Sequence, residues 1–154
     1  MASKKQTKDP LDGLNSYKQI AFGHLLEGYR ALVNMVEADL KSHSNLGISE
    51  AEVLIRLANS DGYSMQPGEL AQQCVMSPSG CTRLLDRLEE QELITRATQI
   101  EDRRAVVIKL TGQGLETLRR MLPAHYESLE AHMWSKLTAD ELKTLSKLMA
   151  KLRD

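Results

Sequence analysis

The sequence predicts a mainly α-helical fold with a small β wing, the winged helix-turn-helix. Two short helical segments, opened by Pro67 and by Pro78, follow one another closely in the middle of the chain. Two strand-like runs come next, at residues 93–98 and 105–110, on either side of a polar segment. Long apolar patterns with helical spacing flank this region on both sides. The expected sheet is therefore confined to the middle of the chain.

The first short helix begins at Pro67. Proline is tolerated at the first helical position because its missing N–H would have no partner there. Leu70, Ala71 and Cys74 then fall on one face, which predicts a helix of about two turns.

The second short helix begins at Pro78, with the hydroxyl of Ser77 as its N-cap. Apolar residues recur at three- and four-residue steps and are expected to face inward: Cys81, Leu84, Leu85 and Leu88. The remaining residues form the solvent side: Ser79, Gly80, Thr82, Arg83, Asp86 and Arg87. That side is polar and short-chained at its N-terminal end, as a helix that enters a DNA major groove must be.

The two strand-like runs are rich in β-branched residues and too short for typical helices, which predicts an antiparallel pair. Asp102 stands beside Arg103 and Arg104 in the polar segment between them. An arginine suits a narrow, negative minor groove, and the carboxylate can hold one guanidinium in place. The alternative is a solvated hairpin tip, but the helix-turn-helix directly upstream favours a DNA-contacting wing.

Several segments together carry a family resemblance: Glu69-Leu70-Ala71, Ser77 to Thr82, Arg83 to Glu89, Asp102-Arg103-Arg104, and Leu110-Thr111-Gly112-Gln113-Gly114. The wing motif Asp-x-Arg and the following Leu-Thr-x-x-Gly are specific in combination. With them the chain resembles the MarR family of bacterial transcriptional regulators over most of its length. One departure is Gln91-Glu92, where many relatives carry lysine-glycine. A left-handed backbone at Glu92 would be strained without glycine, so we expect the turn there to take another geometry.

Outside the central region the chain reads as helical. Leu14 to about Lys41 forms one long apolar pattern without proline. Ser49-x-x-Glu52 and Thr138-x-x-Glu141 read as capping boxes, and Thr111 can cap a helix that runs past Pro123. The last helix carries an apolar stripe too large to leave in water: Leu142, Leu145, Leu148, Met149 and Leu152.

The resemblance implies how these helices are used. At 154 residues the chain is expected to be one domain, with a winged-helix lobe at about residues 49–112. Helices at about residues 14–42 and 113–154 would form a homodimer, although such a stripe could also pack within one chain. A two-fold dimer presents two reading helices roughly 34–36 Å apart and requires a near-palindromic operator in double-stranded DNA.

The implied function is a sequence-specific transcriptional regulator, a homodimeric repressor released by a small aromatic or phenolic inducer. The candidate DNA-binding residues are Ser77, Ser79, Thr82, Arg83, Arg87, Asp102, Arg103 and Arg104. Among them Arg87 would contact phosphate or hold the wing, and Arg104 would enter the minor groove. The candidate ligand-binding residues are Tyr17, His24, Tyr29, Arg30 and Met65.

Net charge does not support DNA binding. The formal charge is −1, and residues 67–111 carry six basic and seven acidic side chains. The distribution is more favourable, because Glu89, Glu90 and Glu92 lie at the far end of the second helix while the arginines lie on its outer face and in the wing. The alternative is a helical protein-interaction module that uses a winged-helix fold without specific DNA binding.

Other classes of function receive little support. The sequence contains no glycine-rich phosphate loop, nucleophile elbow or paired-carboxylate motif, so we expect neither an enzyme nor a cofactor. His24, His43, His125 and His132 are scattered, which predicts no metal site. Cys74 and Cys81 are interpreted as small inward-facing hydrophobes, with redox sensing as the alternative. No apolar run is long enough to span a membrane and the first residues resemble no secretion signal, so we expect a cytoplasmic protein.

Overall fold

The computed structural model describes residues 9–98 and 106–153. Within these ranges the chain forms six α-helices: α1 (Tyr17–His43), α2 (Ile48–Ala58), α3 (Pro67–Gln73), α4 (Pro78–Glu90), α5 (Gly112–His132) and α6 (Ala139–Lys151). Its strands are β1 (Ser64–Met65), β2 (Ile94–Thr98) and β3 (Val106–Leu110). The predicted fold class, mainly α-helical with a small β wing, is confirmed. None of the helices in these ranges combines the length and the apolar content needed to cross a membrane.

The sheet is antiparallel, with strand order β1-β3-β2. The predicted pairing of β2 with β3 is confirmed, and its register sets Ile94 opposite Leu110 and Thr98 opposite Val106. The third strand, β1, was not predicted because it is only two residues long. The predicted wing-tip residues Asp102, Arg103 and Arg104 lie outside the described residues.

The core lies between the sheet and helices α2, α3 and α4, and it extends to residues of α1 and α5. All four predicted inward-facing residues of α4 are buried: Cys81, Leu84, Leu85 and Leu88. The three predicted for the first short helix are buried as well: Leu70, Ala71 and Cys74. The helix-turn-helix therefore rests on one continuous apolar layer, to which Ile94 and Ile108 of the sheet also belong.

The start of α2 differs from the prediction. The capping box expected at Ser49-x-x-Glu52 is wrong, because α2 already begins at Ile48. The Glu50 carboxylate accepts from the Gly47 N–H at 2.7 Å, and Glu37 of α1 accepts from the Ile48 N–H at 2.6 Å. These two carboxylates satisfy the first amides of the helix before Ser49 could do so. The bond to Glu37 also joins α1 to the start of α2.

The turn after α4 also differs from the prediction. Glu92 has a φ of 57°, so the expectation that it would avoid the left-handed conformation is wrong. The Leu93 N–H donates to the Leu88 carbonyl at 3.0 Å and the Glu92 N–H to the Glu89 carbonyl at 2.9 Å. This is the Schellman pattern that ends many helices, usually with glycine at the left-handed position.

Two side chains from the start of α5 hold this turn in place. The Thr111 hydroxyl donates to the Glu92 carbonyl at 2.7 Å, and the Gln113 amide donates to the Gln91 carbonyl at 3.0 Å. Thr111 also accepts from the Gly114 N–H at 2.9 Å, which confirms it as the cap of α5. The end of α4 and the start of α5 are therefore joined by side chains, which offsets the strain of a non-glycine residue in the turn.

The terminal helices are packed unevenly. Helix α1 begins at Tyr17 rather than at Leu14, because Ser16 is its N-cap. The Thr138-x-x-Glu141 capping box of α6 is confirmed by the bond from the Thr138 N–H to Glu141 at 2.8 Å. No residue of α6 is buried in the single chain. In its predicted apolar stripe Leu148 is 50% and Leu152 68% exposed, whereas Leu142, Leu145 and Met149 are partly buried.

Candidate nucleic-acid interface

The outer face of α4 is a continuous polar surface. The Ser77 hydroxyl accepts from the Gly80 N–H at 3.1 Å and closes the N-terminus of the helix, as predicted. Ser79, Thr82 and Arg83 are exposed on the side opposite the buried leucines. The N-terminus of α4 is also the positive end of its helix dipole, so an anion is favoured there. The geometry suits insertion of this end of α4 into a groove lined by phosphates.

Helix α3 lies behind α4, and the turn between them is tight. Val75 has a φ of 52°, which is an outlier for a β-branched residue. The Met76 N–H donates to the Ala71 carbonyl at 2.9 Å and so closes α3 with the same Schellman pattern. The Val75 side chain is exposed. Because this turn is compact, α4 begins only a few residues after the end of α3, and its N-terminus lies beside α3.

Arg96 joins the wing to α4. Its guanidinium pairs with Asp86 at 2.6 Å and with Glu89, and its backbone N–H donates to Glu89 at 3.1 Å. Arg96 was not among the residues predicted from the sequence. The signal was present, because Arg96 lies two residues after the buried Ile94 and so faces the helix rather than solvent.

Arg87 pairs with a residue of α2 rather than with the described strands of the wing, and its predicted contact with a phosphate stays a prediction. Its guanidinium lies 3.4 Å from the Glu50 carboxylate at the start of α2, and Arg96 rather than Arg87 binds the described wing strands to α4. The Arg87 side chain is 61% exposed. Glu50 was not predicted either, since its position beside α4 depends on the tertiary fold.

These ion pairs give several acidic residues near α4 a cationic partner. Arg96 pairs with both Asp86 and Glu89, and Arg87 pairs with Glu50. Arg83 makes no ion pair with any residue of the described ranges. Two arginines therefore pair with three carboxylates near α4, which reduces the negative charge there without cancelling it, while the exposed Arg83 remains on the outer face.

Comparison with known proteins gives matches in both sequence and structure. The model of the MarR family matches residues 44–105. AbsC, a MarR family transcriptional regulator from Streptomyces coelicolor, is 31% identical and superposes with a TM-score of 0.83 over 90% of this chain and 93% of its own. The chain belongs to the MarR family.

Two further relatives of this MarR family chain are informative. The transcriptional repressor MprA of Escherichia coli K12 is 35% identical over 108 residues, which are 69% of this chain. The aligned region spans 61% of the length of MprA. Sco3205 from S. coelicolor, solved in complex with DNA, has a TM-score of 0.84 at 24% identity and covers 90% of this chain and 87% of its own. At that identity the match to Sco3205 establishes a shared fold.

The predicted ligand residues of this MarR family chain are only partly brought together. His24 and Tyr29 line an apolar groove of about 570 Å³ between α1 and the C-terminal segment, where Met133 and Leu145 form part of the opposite wall. The other three lie elsewhere. Tyr17 and Arg30 are exposed on α1 outside this groove, and Met65 is buried in β1 as part of the winged-helix core.

The cysteines lie where the sequence predicted, on inward faces. Cys74 and Cys81 are buried. Burial raises the pKa of the Cys74 thiol to about 11 and also raises the pKa of Cys81. Because the thiolate is the reactive form, both thiols are poor nucleophiles at neutral pH.

The histidines are dispersed in the fold. Over residues 9–98 and 106–153, no three histidine, cysteine, aspartate or glutamate side chains approach one another closely enough to hold a metal ion. His132 of α5 instead lies 3.0 Å from the Asp39 carboxylate of α1, which also accepts from Ser128 at 2.6 Å. These bonds lower the pKa of Asp39, the larger effect being that of Ser128. They join α1 to α5.

Proposed function

We propose that this chain is a sequence-specific DNA-binding regulator that represses transcription as a homodimer. It would act in the cytoplasm, together with the DNA that it regulates. The observation that carries the proposal is the exposed polar face of α4, capped by Ser77, backed by α3 and flanked by the wing strands. AbsC and MprA are named as regulators of transcription, and Sco3205 shares the fold and was solved with DNA. The chain would have no catalytic role.

Each part of the interface has its own proposed role. Ser77, Ser79, Thr82 and Arg83 would contact base edges and phosphates in the major groove, because they occupy the exposed N-terminal half of α4. Arg87 would contact a phosphate while the Glu50 carboxylate holds its guanidinium in place through an ion pair. In the wing, Arg104 would enter the minor groove beside Arg103, with Asp102 orienting it.

The operator assay tests the proposal. Purified protein is titrated on DNA from immediately upstream of its own gene, with excess nonspecific competitor and at several salt concentrations. We expect saturable binding that survives competition. Replacing Arg83 by alanine should weaken this binding by about tenfold or more, the usual cost of losing an arginine contact. Arg119→Ala, which removes an exposed arginine of α5, is the matched control and should bind as the wild type does.

Failure of the wild-type protein on that DNA, and in a selection from random sequences, would contradict the proposal. Weight would then move to a protein-interaction module, which the near-neutral charge also favours. Equal losses for Arg83→Ala and Arg119→Ala would instead remove Arg83 from the interface.

The homodimer is supported by the open apolar surface of the terminal helices. Ile20, Phe22 and Leu25 of α1 and Leu148 of α6 are exposed in the single chain. Apolar surface on this scale usually marks an interaction site, and a second copy would cover it. Two-fold pairing would then place the two copies of α4 in successive major grooves of a near-palindromic operator.

Sedimentation velocity measures the assembly. At micromolar concentration we expect one species of twice the 17.3 kDa chain mass. Leu148→Glu should shift the protein toward monomer because it places a charge in the apolar stripe. Lys147→Glu, at the neighbouring exposed position, should leave the dimer intact. A wild-type monomer at this concentration would contradict the proposed dimer.

A small aromatic or phenolic inducer would fit the groove lined by His24 and Tyr29. Its volume lies within the range of small-molecule sites, and its walls are mainly apolar. Linkage requires that such an inducer bind the DNA-free protein more tightly, by the same factor by which it weakens operator binding. The operator assay repeated with added phenolic compounds measures that factor.

A further inference from the structure

We propose that Arg96 is a positioning residue that clamps the base of the wing to α4, so that its two acidic partners, Asp86 and Glu89, support DNA binding rather than oppose it. This inference rests on the proposed function and assigns roles to residues that do not themselves read the DNA.

The contacts of Arg96 fix the strand in more than one direction. The guanidinium reaches two carboxylates of α4, Asp86 at 2.6 Å and Glu89, while the backbone N–H of the same residue donates to Glu89 at 3.1 Å. A planar guanidinium with several donors can hold two carboxylates at once, whereas the ammonium of lysine acts as a single point charge. The strand is therefore attached to α4 through both its main chain and its side chain.

The position of the clamp matters for the wing. Arg96 is the central residue of β2, between the buried Ile94 and the end of the strand at Thr98. A strand of five residues is about 16 Å long, so a small rotation about this point becomes a larger displacement at the far end of the hairpin. Asp86 and Glu89 lie three positions apart on one side of α4, so one guanidinium reaches both carboxylates.

Charge alone predicts the opposite effect from positioning. Asp86 and Glu89 are carboxylates on a helix proposed to face phosphates, and removing them would make the surface more positive. A purely electrostatic account therefore predicts that their neutralisation tightens DNA binding. The clamp predicts that the same change weakens specific binding, because the wing loses its support. The sign of the effect distinguishes the two accounts.

The experiment compares Asp86→Asn/Glu89→Gln with the wild type in the operator assay. We expect the double variant to bind the operator about tenfold more weakly, an effect within the range usual for residues coupled in one ion-pair network. Its binding to nonspecific DNA should stay equal or become tighter. Glu90→Gln is the matched control, since Glu90 is exposed on α4 and pairs with no cation of the described ranges. This control removes a charge without touching the clamp and should not weaken operator binding.

Tighter or unchanged operator binding by the double variant would overturn the inference while leaving the proposed function intact. Absence of operator binding by the wild type would instead overturn the proposed function. Circular dichroism establishes that the double variant is folded, and if it is not, Asp86→Asn alone is judged by the same criterion. Arg96→Lys, which keeps the charge but loses the two-carboxylate geometry, should also weaken specific binding. Wild-type affinity in Arg96→Lys would contradict the clamp.

Discussion

Replacing Gly114 by alanine is expected to lower the free energy of unfolding by about 3 kcal/mol, because the added methyl group would overlap neighbouring atoms. A Cβ at this position would collide with the Leu93 carbonyl oxygen and lie 2.8 Å from Cδ1 of Leu110. The carbonyl cannot easily withdraw, since it accepts from the Thr111 N–H at 3.1 Å. The glycine of the Leu-Thr-x-x-Gly motif is therefore required by the close approach of α5 to the wing.

Urea denaturation followed by circular dichroism measures this loss. Gly112→Ala is the matched control, because it lies in the same helix and its Cβ would enter open space. It should be neutral or slightly stabilising, given the better helix propensity of alanine. A Gly114→Ala protein as stable as Gly112→Ala would show that the turn and α5 can separate without cost.

Truncation of Leu88 to alanine is expected to cost about 3 kcal/mol, within the 2–5 kcal/mol usual for a buried leucine. Leu88 is 0% exposed and belongs to the core shared by the helices and the sheet. It also lies in the last turns of α4, where its carbonyl accepts the Leu93 N–H that closes the helix. The cavity would therefore weaken the support of α4 and of the turn into the wing.

The same denaturation measurement applies, with Arg83→Ala as the control from the exposed face of α4. Surface substitutions of this kind usually change stability by less than about 0.5 kcal/mol. A loss for Arg83→Ala as large as that for Leu88→Ala would contradict the assignment of the two faces. The control also establishes that any loss of DNA binding by Arg83→Ala is not due to unfolding.

The helix-turn-helix could be predicted from the sequence because its determinants are local. The cap at Ser77, the proline at Pro78 and the spacing of the buried residues of α4 all lie within one short segment. The start of α2 could not be predicted in the same way, since Glu37 caps it from another helix. The left-handed Glu92 was missed for the same reason, because Thr111 stabilises that turn from nineteen positions away in the chain.

The residues of the candidate site also divide into those that local sequence predicts and those that depend on the tertiary fold. The exposed residues of α4 follow from helical periodicity, so their placement was predictable. The partners of Arg87 and Arg96 depend on how α2 and β2 pack against α4, and neither Glu50 nor Arg96 was named from the sequence. For the ligand site, periodicity placed His24 and Tyr29 on α1, but Met65 turned out to belong to the core of the lobe.

The bonds from Thr111 and Gln113 to the turn after α4 have a mechanical consequence. The N-terminal end of α5 is thereby attached to the turn after α4, while its C-terminal turns are attached to α1 through Ser128 and His132. A helix of 21 residues is about 32 Å long, so tilting it by roughly a tenth of a radian moves its far end by about 3 Å. Small adjustments where the long helices meet would thus be amplified into displacements of α4 comparable with the length of a hydrogen bond.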